Sequence, residues 1–243
     1  MLSKSTTRAT ALALALFAAS CARLLPWRDD APAPEVNLAF TLDRNLVELQ
    51  TIRLNDRPGR FLLGSAAPRT VLDPAYAGNG PHALQLTARN TVKIKPSTLD
   101  LGGVADGIIG ADTWSNKAIS IDYRSGLVTL QKQGIETGLM TVYRYDAAPT
   151  IDVAVDGAVL RAVVDTTSPD TLVLPSSSDR RATARVTVAG TDFGPIDVRY
   201  ANVAQARIGN RLLSRFLVSI DYGKKVVGLW RDPRIPLAPA PAP

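Results

Sequence analysis

Of the 243 residues only one is a cysteine and one a histidine. A disulfide framework, a zinc ribbon or finger, and any site built from several imidazoles are thereby excluded, and neither a metal nor a cofactor is expected. A Ser-His-Asp or Cys-His triad would have to use His82 as its base. That residue follows the turn-forming run Gly78-Asn79-Gly80-Pro81 and reads as a solvated loop histidine. Aromatic residues make up only 6% of the chain and the basic residues are scattered, the longest cluster being Arg180, Arg181 and Arg185. A phosphate-tracking groove with stacking platforms is not indicated, so no nucleic-acid partner is expected. Long hydrophobic runs are also missing. The longest, Ala11 to Ala19, is far short of the roughly 20 apolar residues that span a bilayer.

What is present begins with that run. Lys4 and Arg8 precede it and Ser20-Cys21 follow, the three-part pattern of an export signal over residues 1–20. Ala18-Ala19-Ser20-Cys21 resembles the lipobox of bacterial lipoproteins, which implies cleavage before Cys21 and a diacylglycerol on its thiol. Ordinary cleavage after a small residue, with Cys21 incidental, is the alternative. Ala22 stands where such signals carry Asp to avoid the outer membrane, so the resemblance implies an outer-membrane lipoprotein facing the periplasm, or otherwise a soluble periplasmic or secreted protein. Loss of Lys4 and Arg8 from 28 basic residues leaves 26 against 22 acidic ones, a mild excess. Residues 21–35, with Pro26, Pro32 and Pro34, read as an extended tether. Residues 233–243 carry five prolines, which exclude a helix or central strand, and read as a disordered tail.

Between these ends the apolar residues recur at period two or in short runs: Val47 to Leu49, Ile52 to Leu54, Phe61 to Leu63, Val92 to Ile94, Ile119 to Ile121 and Leu127 to Leu130. Punctuated by Gly, Pro, Asn and Asp, with no long helical stripe, they predict an all-β body. The body also repeats itself. Residues 60–74, RFLLGSAAPRTVLDP, align without a gap on 161–175, RAVVDTTSPDTLVLP. Residues 109–130, IGADTWSNKAISIDYRSGLVTL, align on 208–229, IGNRLLSRFLVSIDYGKKVVGL. Two blocks in the same order, about 100 residues apart, indicate a duplicated domain-sized unit, with halves at 36–140 and 141–232.

The repeat resembles the retropepsin-like unit of aspartic peptidases. The resemblance rests on Val163-Val164-Asp165-Thr166-Thr167-Ser168 and on Asp106-Gly107-Ile108-Ile109-Gly110 followed by Ile119-Ser120-Ile121-Asp122-Tyr123. It implies two tandem β lobes about a pseudo-twofold axis, each giving one aspartate to a dyad that shares a proton and activates water. The chain departs from that pattern at the chemistry. Gly64 occupies the aspartate position of the first lobe and Ala66 that of the loop glycine; in the second lobe Asp165 is kept but Thr167 replaces the glycine. By the resemblance, Ser65 and Thr166 stand where hydroxyls reach across and bond the opposite loop. Asp106, Asp112, Asp122 and Asp221 match family positions that are not catalytic. The expected protein is therefore catalytically inactive and monomeric. It binds an extended peptide or a cell-envelope protein in a cleft lined by Gly64, Ser65, Ala66, Ala67, Asp165, Thr166, Thr167 and Ser168, under flap-like hairpins around 88–92 and 187–194. Two alternatives remain: an active endopeptidase in which a homodimer pairs two copies of Asp165, and a structural lipoprotein whose cleft has no function.

Overall fold

Alternating apolar residues build strands throughout the computed structural model, which describes residues 36–114, 117–131 and 134–237. The six runs named above coincide with strands, apart from Ile52, which precedes its strand: Leu46–Leu49, Arg53–Leu54, Phe61–Leu63, Asn90–Ile94, Ala118–Asp122 and Leu127–Gln131. Burial follows the period. In Leu127–Gln131, Val128 and Leu130 are buried while the residues between them stay half-exposed, as in a strand with one face on a core. Among the described residues there are two α-helices, Pro74–Ala77 and Asn210–Leu213, of four residues each. The first begins where Asp73 accepts the Ala75 N–H at 2.9 Å and Pro74 brings no N–H that needs a partner. The chain is predominantly β, as the periodicity predicts.

The strands form three assemblies. An eleven-stranded sheet starts with six antiparallel strands in the order Thr141–Arg144, Val226–Trp230, Leu217–Asp221, Ala118–Asp122, Leu127–Gln131 and Val36–Asp43. It continues through Leu46–Leu49, Phe61–Leu63, Gly107–Ile109, Val71–Leu72 and Ser97–Thr98. A closed barrel is made only from the second half: Thr150–Val155, Ala158–Val164, Ala206–Ile208, Leu172–Pro175, Thr191–Ala201 and Arg180–Val188. A four-stranded sheet joins Arg57–Pro58 and Arg53–Leu54 to the hairpin His82–Thr87 and Asn90–Ile94.

The two halves meet in the large sheet. Ala118–Asp122 pairs antiparallel with Leu217–Asp221, and Ser120 faces Ser219, its own counterpart in the sequence alignment, with the two hydroxyls 2.6 Å apart. Both serines are buried, so each satisfies the other. The main hydrophobic core runs through both halves, from Leu38 and Phe61 to Val218 and Leu229. A small satellite of Leu46, Leu62 and Ala105, with Leu101 and Ile108 against it, lies beside the first sequence block.

Two expectations are corrected. His82 is not in a loop: it opens a strand, paired with Ile94, and its half-buried ring places Nε2 3.1 Å from the Ala77 carbonyl. The turn signals of 78–81 stop just short of it. The second hairpin, Arg180–Val188 with Thr191–Ala201, is not a free flap but a barrel wall, because Val186, Val188 and Val198 are fully buried and 186–188 pair with 153–155. Its turn, Ala189-Gly190, has both φ angles positive, the geometry that matches strand twist. The export signal, Cys21 and the tether lie outside the described residues, as do residues 238–243 of the tail; residues 233–237 form neither helix nor strand.

Candidate functional site

The aligned loops at 64–68 and 165–169 leave the ends of equivalent strands. Phe61–Leu63 runs parallel to Gly107–Ile109, and the end of Ala158–Val164 runs parallel to Ala206–Ile208. The next amide in each continues the ladder: Gly64 N–H donates to the Ile109 carbonyl at 2.9 Å, and Asp165 N–H to that of Ile208 at 3.0 Å. From there the loops lock onto each other. The Ser65 N–H donates to Thr166 Oγ1 at 2.9 Å and the Thr166 N–H to Ser65 Oγ at 3.0 Å. The hydroxyls then donate onward, Ser65 to the Val164 carbonyl at 2.6 Å and Thr166 to the Leu63 carbonyl at 2.5 Å. Four bonds thus form a reciprocal clasp in which both side chains are at most 1% exposed.

The matched tyrosines of the two Ser-Ile-Asp-Tyr segments brace this clasp from outside. Tyr222 donates to the Ser65 carbonyl at 3.1 Å. Tyr123 donates to Asn210 Oδ1 at 2.8 Å, and the amide of Asn210 donates to the Thr166 carbonyl at 2.7 Å. Burial pushes both phenols well above the ordinary tyrosine range. Burial, with the Asp221 charge, pushes Tyr145 up to about 12. In the unfolded chain these phenols ionise near pH 10. A folded-state pKa raised above the unfolded value gives stability that is intact below pH 10 and is lost as the pH climbs toward the folded values. The urea midpoint is therefore expected to fall steadily from pH 9.5 to 11.5, and to fall less steeply in Tyr222→Phe; an identical slope in the variant would contradict this.

The aspartate position differs sharply between the halves. Asp165 is 4% exposed. Its Oδ1 accepts the Thr167 N–H at 2.9 Å and the Thr167 hydroxyl at 2.5 Å, and its Oδ2 lies 3.3 Å from Arg207 Nη1. Every group converging on it is a donor and none is an acid. Gly64 stands at the equivalent place, and there the counterpart of Arg207 is Ile108. A Cβ built on Gly64 would lie 2.4 Å from Ile108 Cγ2 and 3.0 Å from Ala67 Cβ. One half therefore holds a carboxylate and guanidinium pair where the other holds a glycine under an aliphatic branch.

The other candidate aspartates hold the backbone. Asp106 accepts the Arg60 N–H at 2.7 Å, and one oxygen of Asp112 accepts both the N–H and the hydroxyl of Thr70 at 2.8 Å. Asp122 and Asp221 accept backbone N–H groups of the turns that follow them. The glycines after the parallel strands are steric necessities. A Cβ on Gly110 would lie 2.3 Å from the Arg69 carbonyl carbon, and one on Gly209 2.4 Å from the Asp170 carbonyl oxygen. Among the described residues no three His, Cys, Asp or Glu side chains gather as a metal site would require.

Two depressions flank the clasp. One, of about 680 Å³, is lined by Ser65, Ala66, Ala67 and Pro68 together with Tyr145 and Tyr222. The other, of about 590 Å³, is lined by Asp165, Thr167 and Ser168 together with Arg199 and Arg207. Neither of these two depressions has walls from both loops. Arg207, Tyr222 and Asn210 were not singled out by the sequence, and Ile108 only as a member of the Asp106 to Gly110 motif. The two tyrosines were visible only as a repeated tetrapeptide. No family model and no curated protein matches the chain.

Proposed function

We propose that the chain is a catalytically silent relative of the aspartic peptidases, with two tandem retropepsin-like lobes about a pseudo-twofold axis. In this reading it is exported, anchored through Cys21, and takes an extended peptide or an envelope protein against the two loops. The observation that carries the reading is the fate of the dyad. One aspartate is replaced by a glycine whose missing side-chain space is filled by Ile108, and the other is tied to Thr167 and Arg207. A dyad needs two carboxylates close enough to share a proton. Here the partner of Asp165 is a guanidinium. The clasp supports retention of the two-lobed assembly without its chemistry, since it uses only hydroxyl and backbone groups. A homodimer pairing two copies of Asp165 is disfavoured by burial, because the carboxylate would have to leave all its donors and emerge from a 4% exposed position.

The expected result is that the full chain cleaves neither casein nor a random peptide pool between pH 3 and 8. Pepstatin-sensitive cleavage abolished by Asp165→Asn would overturn the inactive reading. For binding, the chain is expected to be retained on an array of immobilised extended peptides, and Ala67→Trp, which fills the hollow beside the first loop, to weaken that retention about tenfold, the loss of roughly 1.4 kcal/mol of contact. Absence of retention, or equal retention by this variant and by Ser177→Trp, at another residue that lines the second hollow, would leave only the structural role.

A further inference from the structure

A third cavity, of about 560 Å³, lies away from both loops, where the turn after Asp122, residues 214–217, the end of Val226–Trp230 and residues 231–237 meet. Its size is in the range of small-molecule sites. Two acids stand on its wall and both are engaged. Asp122 accepts the Arg124 N–H at 2.9 Å and the Ser125 N–H at 3.4 Å. Asp232 accepts Arg234 Nε and Nη2, each at 3.0 Å, and these bonds, with the charges of Arg234 and Arg124, hold its carboxyl down to about 2. Arg231 donates to the Ile235 carbonyl and so fixes the segment that closes one side. Arg124 and Arg215 remain, both exposed, with no ion-pair partner among the described residues. The same cavity is also lined by apolar side chains: Phe216, Leu217, Trp230, Ile235 and Leu237.

Two exposed guanidiniums in one cavity with aromatic and aliphatic side chains suit one kind of ligand. We propose that this cavity binds an anionic amphiphile, its carboxylate or phosphate held by Arg124 and Arg215 and its hydrocarbon body laid against Trp230, Leu217 and Leu237. Guanidinium forks match both anions, and burial of the tail supplies the apolar contribution. The site is independent of the peptide-binding reading.

The test is calorimetric titration of the full chain with dodecyl phosphate and dodecanoate below their micellar concentrations, against dodecyl maltoside and inorganic phosphate. Both anionic amphiphiles are expected to bind at least about tenfold more tightly than either control, and Arg124→Gln and Arg215→Gln each to weaken them about tenfold, the scale of one charge-assisted bond. A parallel arm uses phosphatidylglycerol vesicles. Retention on vesicles that is lost in the same variants assigns the anion to a lipid surface, whereas binding of the monomeric amphiphile alone assigns it to a free ligand. Equal affinity for dodecyl maltoside or for inorganic phosphate, no binding of any anionic probe, or unchanged affinity in the double variant with its circular dichroism intact, overturns the proposal.

Discussion

Ser65→Ala is expected to lower the stability of the whole protein by about 2–5 kcal/mol, because it removes two buried hydrogen bonds whose partners have nowhere else to turn. The Thr166 N–H loses its acceptor and the Val164 carbonyl its donor, both in the interior of the clasp. Thr166→Val does the same to the Ser65 N–H and the Leu63 carbonyl. Native domains are stable by only about 5–15 kcal/mol, so the double variant should be largely unfolded at room temperature. Ser65→Thr is the control. The other half already uses threonine at this position, so the hydroxyl and its two bonds are retained and stability should stay near that of the parent. Urea unfolding followed by circular dichroism measures all four proteins. A loss under 1 kcal/mol in Ser65→Ala would show that the clasp contributes little.

Gly64→Asp, which puts an aspartate at the position aligned with Asp165, is expected to destabilise the chain by about 3 kcal/mol or more and to confer no peptidase activity. The new Cβ would overlap Ile108 Cγ2 at 2.4 Å, and overpacking of a filled interior costs about 1–3 kcal/mol. The carboxylate would also stand beside the Ile108 and Ala67 side chains, where a polar group without a partner costs a further 1–3 kcal/mol or so. Asp165 would still be held by Thr167 and Arg207. Because the clash has a single principal author, the penalty of Gly64→Asp should shrink in an Ile108→Ala background, a coupling that a double-mutant cycle reads directly. Additive effects would place the strain elsewhere, and cleavage of a peptide pool by the single variant would show that Arg207 does not hold Asp165 out of the chemistry.

How much of this was legible in the sequence depends on the range of the interactions. Period-two burial is local, and the six runs read from it coincide with strands, Ile52 alone standing outside. The hydroxyls at 65 and 166 could be singled out because the resemblance to the retropepsin-like unit places a cross-loop hydroxyl at both positions. The locking of Asp165 could not. Arg207 reaches it only because the end of Ala158–Val164 lies beside Ala206–Ile208 in a parallel pair, and nothing near either residue announces that register. Ile108 over Gly64 is hidden for the same reason. Turns divide similarly: Asp156-Gly157 is a familiar hairpin pair, whereas Ala189 adopts a φ of 47°, which its side chain gives no reason to expect.

The contact between Ser120 and Ser219 bears on how the chain assembles. Each residue meets its own repeat counterpart across an antiparallel pair, so the strand Ala118–Asp122 offers nearly the same edge to Leu217–Asp221 as it would to another copy of itself. The correct partner is joined by about a hundred residues of chain, whose closure must precede the pairing. At high concentration a neighbouring molecule's strand competes with that tethered one through the same hydrogen bonds. The seam that makes the protein one body is thus also where two chains can exchange halves during folding, and dilution is what favours the single-chain product.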